Sequence, residues 1–334
     1  MPALTRAASQ IKGLRLPIPG QLVLLIVSLC FSACLCEAIL QVFFFAIFPN
    51  NDRANFGYRY DKRIGWVPAP DDPRFGLVRI ANNPARFRKA GDPSSERPGI
   101  IFLGDSFVWG YGVEPSERFS EKLQTKHPEW NVYNFGACGY GTDQEYLLLQ
   151  EHFEDCRPRL VFLLFCSEND DDDNSSNLRG SYFKPYYRAN VKSVDLHGVP
   201  VPHTEESFCS AYPLLARSCL VRLVIRVAAK LTNPAPKRNE APTKMIVHDM
   251  QKYVNARGAD FAVGLTSNHP ELERFLHESQ VPYINLTTTN RLSDMLHWTP
   301  EGHSFVCAKI DQFLAAGKYL TPVQTDRPSG VGLR

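Results

Sequence analysis

The chain has 334 residues, with 37 Lys and Arg against 35 Asp and Glu and a formal net charge of +2. This length is enough for one sizeable domain with appendages. The basic residues are scattered and form no stripe interleaved with aromatic residues, which argues against a nucleic-acid partner. The nine cysteines include no CxxC pair and no histidine at ligand spacing, which argues against a zinc site.

An apolar stretch from Leu22 to Phe48 dominates the amino-terminal region. It is longer than the about 20 residues that a helix needs to cross a bilayer, whereas a signal peptide has an apolar core of only about 7 to 15 residues. We therefore predict a tail over 1–20 and an uncleaved transmembrane helix over 21–48, in contact with membrane lipid. Glu37 is the one misfit, and we interpret it as a tolerated charge near a tilted or oligomerising helix, with a functional role as the alternative.

The charges beside this stretch bear on its orientation. Arg6, Lys12 and Arg15 favour a cytoplasmic amino terminus, although basic residues between positions 53 and 63 flank the other side. Because large domains cross membranes with little regard to charge, we predict a single-pass bacterial inner-membrane protein with its main domain in the periplasm. The opposite orientation remains the alternative.

After an irregular arm over 49–98, in which Trp66 and Phe87 are expected to be packing anchors, apolar strands alternate with amphipathic helices. The predicted strands lie at 99–103, 130–135, 159–166, 260–266 and 282–286, and the predicted helices at 116–127, 143–154, from Pro270, and from Pro300 to about Ala316. This alternation predicts an α/β fold with a doubly wound parallel sheet. We assign the domain to 99–320 and a flexible tail to 321–334.

An insertion over about 170–243 interrupts this domain. Its acidic start, Asp170 to Asn174, is predicted to be a solvated turn rather than a calcium loop, because the spaced glycine and distal glutamate of such a loop are lacking. A hairpin is expected within 182–201. Leu214 to Leu231 predicts a helix, either packed on the domain with a solvated basic stripe or touching lipid headgroups. Pro234 to Pro242 is expected to be a linker.

A serine and a histidine carry the chemistry of the sequence. Ser106 follows the first buried strand directly, at the carboxyl end where open α/β sheets keep their active sites. Asp294 precedes His297 by three residues, so its carboxylate can reach Nδ1 and leave Nε2 free for a serine hydroxyl. This order predicts a serine hydrolase, with Ser106 as nucleophile, His297 as base and Asp294 as the orienting acid. His303, on the last helix, is expected to pack against the sheet.

Two further groups follow the next two strands. Gly139 lies in a glycine-rich turn that lets a backbone N–H approach an oxyanion, and Asn169 offers a side-chain amide. Serine, glycine, asparagine and histidine in this order resemble the SGNH (GDSL) hydrolase family over about residues 98–317. The resemblance implies a flavodoxin-like sheet and an oxyanion hole formed by Ser106, Gly139 and Asn169. Ser167 stands where the family usually has a glycine, so the local turn can differ.

The resemblance implies an esterase that forms an acyl-serine intermediate on a small-molecule or saccharide ester, with no metal or organic cofactor. One alternative is an O-acyltransferase acting on a cell-surface polysaccharide. The string His297 to Gly302 is similar to that of alginate O-acetylation enzymes, although there the acid–histidine motif precedes the serine. Another alternative is a non-catalytic carbohydrate-binding or assembly component. The sequence leaves the oligomeric state open.

Overall fold

The computed structural model describes residues 18–43, 58–68, 97–180, 182–190, 193–233 and 242–319. The predicted tail over 321–334, most of the tail over 1–20, residues 44–48 of the predicted transmembrane helix and Phe87 lie outside these residues. The strands are β1 Tyr58–Asp61, β2 Gly65–Pro68, β3 Gly99–Gly104, β4 Asn131–Gly136, β5 Pro158–Phe165, β6 Leu178–Arg179, β7 Tyr182–Phe183, β8 Tyr186–Ala189, β9 Val194–His197, β10 Asp260–Leu265 and β11 Tyr283–Asn285.

The helices complete the architecture. They are α1 Ile18–Val42, α2 Ser106–Trp109, α3 Phe119–Lys126, α4 Thr142–Cys156, α5 Asp170–Asn174, α6 Glu205–Ala211, α7 Cys219–Thr232, α8 Thr243–Asn255, α9 Pro270–Glu278 and α10 Pro300–Ala316, with short 3-10 turns at Pro115–Glu117 and Leu215–Arg217. Helix α1 begins at Ile18, so three residues assigned to the tail are helical. Its segment Pro19–Val42 is long and apolar enough to cross a membrane.

A five-stranded parallel sheet forms the centre of the domain, in the order β11-β10-β5-β3-β4. Strands β3 and β4 are buried along their whole length, as expected for a parallel sheet that is covered on both faces. One face packs against residues of α4, α8 and α9, and the other against residues of α3 and α10. The predicted α/β fold with a doubly wound parallel sheet is confirmed.

The strand order fixes where a ligand can bind. The chain runs from β3 to β4 on one side and then returns to β5 on the other side of β3. Loops that leave β3 and β5 therefore diverge and leave a crevice at their carboxyl ends, which is the usual ligand site of open α/β sheets. Ser106 follows β3 and Asn169 follows β5, so both lie at this crevice.

The arm contributes a hairpin, β1 and β2, that packs onto the domain. Trp66 is 2% exposed, and its carbonyl accepts a 2.6 Å hydrogen bond from the Tyr140 hydroxyl. Trp66 is therefore a packing residue, as predicted. Gly65, with φ +100°, allows the close approach, because a Cβ there would lie 2.5 Å from the Phe183 carbonyl oxygen.

The acidic start of the insertion differs from the prediction of a solvated turn. Residues 170–174 form α5, and Asp170 and Asp173 are buried. The Cys166 N–H donates to Asp170 Oδ2 at 2.7 Å, and Arg179 Nη1 lies 3.2 Å from Asp173 Oδ1. These partners, a backbone N–H and the side chain of Arg179, take the place of the water that the sequence predicted around the carboxylates. Helix α8 was not predicted at all; its buried residues cover the sheet.

Candidate active site

Ser106 lies at a sharp turn from strand to helix. β3 ends at Gly104 and α2 begins at Ser106, with Asp105 between them. A Cβ at position 104 would lie 2.4 Å from Val108 Cγ2, so the turn requires glycine there. Asp105 caps the new helix, because its Oδ1 accepts a 2.9 Å hydrogen bond from the Phe107 N–H. The turn holds the Ser106 hydroxyl at the carboxyl end of the central strand.

The structure brings Ser106, His297 and Asp294 together in one hydrogen-bonded chain. His297 Nε2 lies 2.8 Å from Ser106 Oγ, and His297 Nδ1 lies 2.5 Å from Asp294 Oδ2. A carboxylate facing Nδ1 favours the tautomer with the proton on Nδ1. Nε2 is then an acceptor for the serine proton. The arrangement can thus convert a serine hydroxyl into a nucleophile.

The loop between β11 and α10 holds the acid and the base in position. Leu292 N–H donates to the His297 carbonyl at 2.7 Å, and Arg291 and Trp298 form a short antiparallel bridge. Trp298 is fully buried. Met295 has φ +59° at the tip of the loop and is exposed. Asp294 and His297 therefore lie in a tight turn that is anchored at its base.

The second oxygen of Asp294 is also occupied. Its Oδ1 accepts hydrogen bonds from the backbone N–H groups of Leu296, at 2.9 Å, and His297, at 3.0 Å. Burial alone would raise the pKa of Asp294, but the hydrogen bonds from the His297 ring and from the two backbone groups outweigh it and leave the pKa below its usual value. Asp294 is consequently ionised near neutral pH and stabilises a positive charge on His297.

Aromatic rings flank the His297 ring. The ring centroid of Tyr111 lies 4.5 Å away and that of Phe107 lies 5.4 Å away. Phe107 is buried, whereas Tyr111 is 47% exposed. One ring therefore supports the histidine from the core, and the other lies at the surface of the crevice, where a substrate can contact it.

Gly139 and Asn169 lie after the two strands that flank β3. Gly139 has φ +76°, a conformation that glycine adopts without strain. In the described part of the chain, neither the Ser106 N–H nor the Gly139 N–H donates to another protein group. Asn169 is half-buried immediately before α5. The structure thus places all five predicted site residues at one edge of the sheet.

The sequence did not indicate that Arg179 lies beside Gly139. A Cβ at position 139 would lie 3.6 Å from Arg179 Cγ and 3.9 Å from its Nε. Arg179 is held there by Asp173, and burial raises the pKa of Asp173 to about 7, although Arg179 and Lys184 oppose the shift. The insertion therefore brings a cation to the predicted oxyanion side of the crevice.

Buried carboxyl groups beneath Ser106 were not predicted either. Asp105, Cys166 and Asp170 place one potential ligand atom each within 4.8 Å of one another. Burial, together with the charges of Asp105, Asp143 and Asp173, raises the pKa of Glu145 well above its usual value. Burial, with Glu145 and Asp105 nearby, does the same for Asp170. The carboxyl groups of Glu145 and Asp170 are therefore protonated more readily than exposed carboxyl groups.

His303 lies on α10, as predicted, and is buried against Phe119 and Trp298. The Phe119 N–H donates to His303 Nδ1 at 3.4 Å. Burial lowers the pKa of His303 to about 3, with help from the positive charges of Arg118 and Lys122. His303 is therefore a neutral packing residue at neutral pH, and His297 is the histidine that faces the serine.

No protein-family model matches the chain, and no curated protein sequence matches it. Among solved structures, it is similar to a GDSL-like lipase from Bacteroides thetaiotaomicron, at 12% identity over 66% of this chain and 88% of that chain, with a TM-score of 0.36. A psychrotrophic esterase from Pseudoalteromonas is similar at 13% identity over 66% and 98%, with a TM-score of 0.39. A two-domain esterase active on acetylated mannans is similar at 14% identity over 72% and 54%, with a TM-score of 0.39.

The features that define the site belong to this chain itself. They are the five-stranded parallel sheet, the order of the serine, glycine, asparagine and histidine motifs along the chain, and the hydrogen bonds from Asp294 through His297 to Ser106. With these in place the predicted resemblance is confirmed, and in fold and motif order this chain is similar to the SGNH (GDSL) hydrolases.

Proposed function

We propose that the protein hydrolyses an ester through an acyl-serine intermediate. The observation that supports this most directly is the hydrogen-bonded chain from Asp294 through His297 to Ser106. His297 Nε2 takes the proton from Ser106 Oγ as the oxygen attacks the ester carbonyl carbon, and then returns it to the leaving alkoxide. Water attacks the acyl-serine in the same manner, which releases the acid and restores the serine.

The negative charge that develops on the carbonyl oxygen needs donors. In this proposal they are the N–H groups of Ser106 and Gly139 and the side-chain amide of Asn169. Their support is the strand order, which brings the segments after β4 and β5 to either side of Ser106. One such donor contributes on the order of 3 kcal/mol to the stabilisation of the transition state.

The acyl-serine can also transfer its acyl group to a sugar hydroxyl in place of water. An O-acyltransferase acting on a cell-surface polysaccharide is thus the second candidate, and its specific motivation is the string from His297 to Gly302 on a chain with an apolar α1. An O-acetyl group on a saccharide, or a lipid ester, is the substrate class of the first candidate.

The proposed location follows from α1. Its Pro19–Val42 segment is long and apolar enough to cross a membrane, and Arg6, Lys12 and Arg15 precede it. We infer a single-pass inner-membrane protein whose hydrolase domain lies in the periplasm. Protease accessibility of the domain in spheroplasts tests this, because a cytoplasmic domain would be protected until the cells are lysed.

The test of the function uses the full chain in detergent micelles with p-nitrophenyl acetate, with and without an oligosaccharide acceptor. Release without acceptor indicates an esterase, and acceptor-dependent acetyl capture indicates a transferase. Ser106→Ala should lower turnover by at least about a thousandfold, and a fluorophosphonate should label wild-type protein at Ser106. The control variant is Ser304→Ala, which replaces an exposed serine on α10. Labelling at another residue, or no turnover of any ester, would refute the proposal.

A further inference from the structure

Helix α7 of the insertion begins against the apolar helix α1. Glu37 of α1 accepts three hydrogen bonds there: from the Ser218 hydroxyl at 2.8 Å, from the Cys219 N–H at 2.8 Å and from the Leu220 N–H at 2.9 Å. Gln41, one turn further along α1, donates to the Arg217 carbonyl at 3.0 Å. A carboxylate that receives the first N–H groups of a helix is well stabilised. Glu37 is therefore the group that joins α7 to α1.

The polar face of α7 is turned toward the domain. Arg222 Nε donates to Glu205 Oε1 at 2.7 Å, and Arg226 Nε donates to Glu205 Oε2 at 2.6 Å. The two arginines thus share one carboxylate of α6. The prediction of a helix that presents a solvated basic stripe is wrong for these two residues, because both pair with Glu205; Arg217 and Lys230, the other basic residues of this segment, are exposed.

The exposed side of α7 is mainly apolar, although Lys230 and Thr232 are exposed as well. Val224, Val227 and Leu231 follow one another at helical spacing and are 57%, 48% and 77% exposed. Leu214 and Leu215, just before the helix, are 76% and 52% exposed. We call these five residues the α7 stripe. Exposed apolar side chains of this size, clustered in one segment, mark a surface that binds a protein or a membrane.

The attachment to α1 sets the depth of the stripe. Pro19–Val42 contains 24 residues, or about 36 Å of helix, and the apolar core of a bilayer is about 30 Å thick. Within the proposed single-pass arrangement the membrane boundary lies near Val42, where α1 ends; residues 44–48 of the apolar stretch lie outside the described residues. Glu37 precedes Val42 by five residues, about 7.5 Å along the axis. Interfacial helices bury their apolar face about 5 to 10 Å deep, so the depth of Glu37 is suitable for α7.

We propose that the α7 stripe inserts into the headgroup and acyl-chain boundary of the same bilayer that α1 spans. The occupant of this surface is lipid, because the surface is continuous with α1, most of whose exposed side chains are apolar, such as Leu35 and Ile39. Such an arrangement holds the domain against the membrane by two contacts, one spanning helix and one interfacial helix. Substrates of the crevice are then met at the membrane surface.

The test uses the full chain reconstituted in phosphatidylcholine and phosphatidylglycerol vesicles that contain a phosphatidylcholine with a photoactivatable diazirine in its acyl chain. After illumination and digestion with pepsin, mass spectrometry locates the lipid adducts. We expect adducts in α1 and in residues 214–231. Helix α8, which is amphipathic but covers the sheet, is the internal control and should carry none.

The matched variant carries Val227→Asp and Leu231→Asp. It should lose at least about fivefold of the labelling of 214–231, since a carboxylate is excluded from the acyl-chain region, and should keep the labelling of α1. Ala308→Asp, at an exposed position on α10, should change neither. The proposal would be overturned if lipid adducts in the wild-type protein appeared in α1 but not in residues 214–231. This holds whether or not cross-linking then shows that a second copy of the chain covers the α7 stripe. This wild-type result does not depend on the folding of any variant.

Discussion

Asp294→Asn is the most direct perturbation of the candidate site, because the structure specifies both oxygens of this carboxylate. Oδ1 accepts from the N–H groups of Leu296 and His297, while Oδ2 faces His297 Nδ1 at 2.5 Å. In the asparagine variant the amide oxygen should keep the two backbone donors, because an NH2 group there would face two N–H groups. The amide nitrogen then faces Nδ1 as a donor. His297 is forced into the tautomer that carries its proton on Nε2.

This tautomer donates to Ser106 Oγ and cannot accept its proton. Turning the asparagine amide to restore the active tautomer would break two hydrogen bonds to the backbone, at a cost of about 1 to 1.5 kcal/mol each. The variant also lacks the negative charge that stabilises the imidazolium, which adds about 2 kcal/mol. Together these amount to about 4 to 5 kcal/mol, so turnover should fall about a thousandfold to several thousandfold.

The assay is the turnover of p-nitrophenyl acetate by the full chain in detergent micelles, at equal concentrations of folded protein checked by circular dichroism. Asp311→Asn is a matched control, because Asp311 Oδ1 lies 2.6 Å from His127 Nε2 and so forms an aspartate–histidine pair away from Ser106. It should leave turnover within about twofold of wild type. Turnover by Asp294→Asn within about tenfold of wild type would refute the reasoning about the tautomer.

Two other predictions concern the oxyanion donors and the buried histidine. Asn169→Ala should lower kcat by about a hundredfold to a thousandfold with a much smaller change in KM, because the amide stabilises the charge that develops in the transition state. Steady-state kinetics measure this effect. An unchanged kcat would show that Asn169 is not an oxyanion donor. Burial lowers the pKa of His303 to about 3 in the folded protein. Below about pH 6.5 the unfolded state therefore binds a proton that the folded state does not bind. The free energy of unfolding should consequently fall as the pH drops from about 6.5 toward 3. Urea unfolding at pH 7 and pH 4.5 should show this loss, up to about 3 kcal/mol from this residue, and it should be reduced in His303→Gln; an equal pH dependence in both proteins would contradict it.

The sequence was sufficient for the sheet and for the three residues of the hydrogen-bonded chain, for physical reasons that act locally. β3 is an unbroken apolar run and β5 is one from Leu160 to Phe165, as expected for strands buried on both faces. Asp294 and His297 are three residues apart, so their contact is a property of one turn. Pro300 fixes the start of α10 and thereby separates His303, on the helix, from His297, in the loop.

The features that could not be predicted depend on contacts between distant segments. Asp170 and Asp173 were predicted to be solvated because the residues next to them in the chain offer no positive charge to stabilise a buried carboxylate. Their burial depends on the fold, which packs α5 against α4 and α8, although the partners of the two carboxylates, Cys166 and Arg179, lie only four and six residues away in the chain. Glu37 read as a tolerated charge for the same reason, since its partners at the start of α7 lie more than 180 residues away in the sequence.

The insertion contacts both the crevice and the apolar helix α1, two features that lie apart in the sequence. Its first part places Arg179 beside Gly139, at the crevice, and its later part places the start of α7 on Glu37, at the apolar helix α1. Between them, the Val201 N–H donates to the Lys62 carbonyl of the arm at 2.7 Å, so the insertion is also fixed to the hairpin that follows α1. A change in this segment can therefore alter the crevice and the attachment to α1 together. Removal of α1 leaves Ser106, His297 and Asp294 intact but withdraws the carboxylate that caps α7, so loss of solubility after truncation is no evidence against the site.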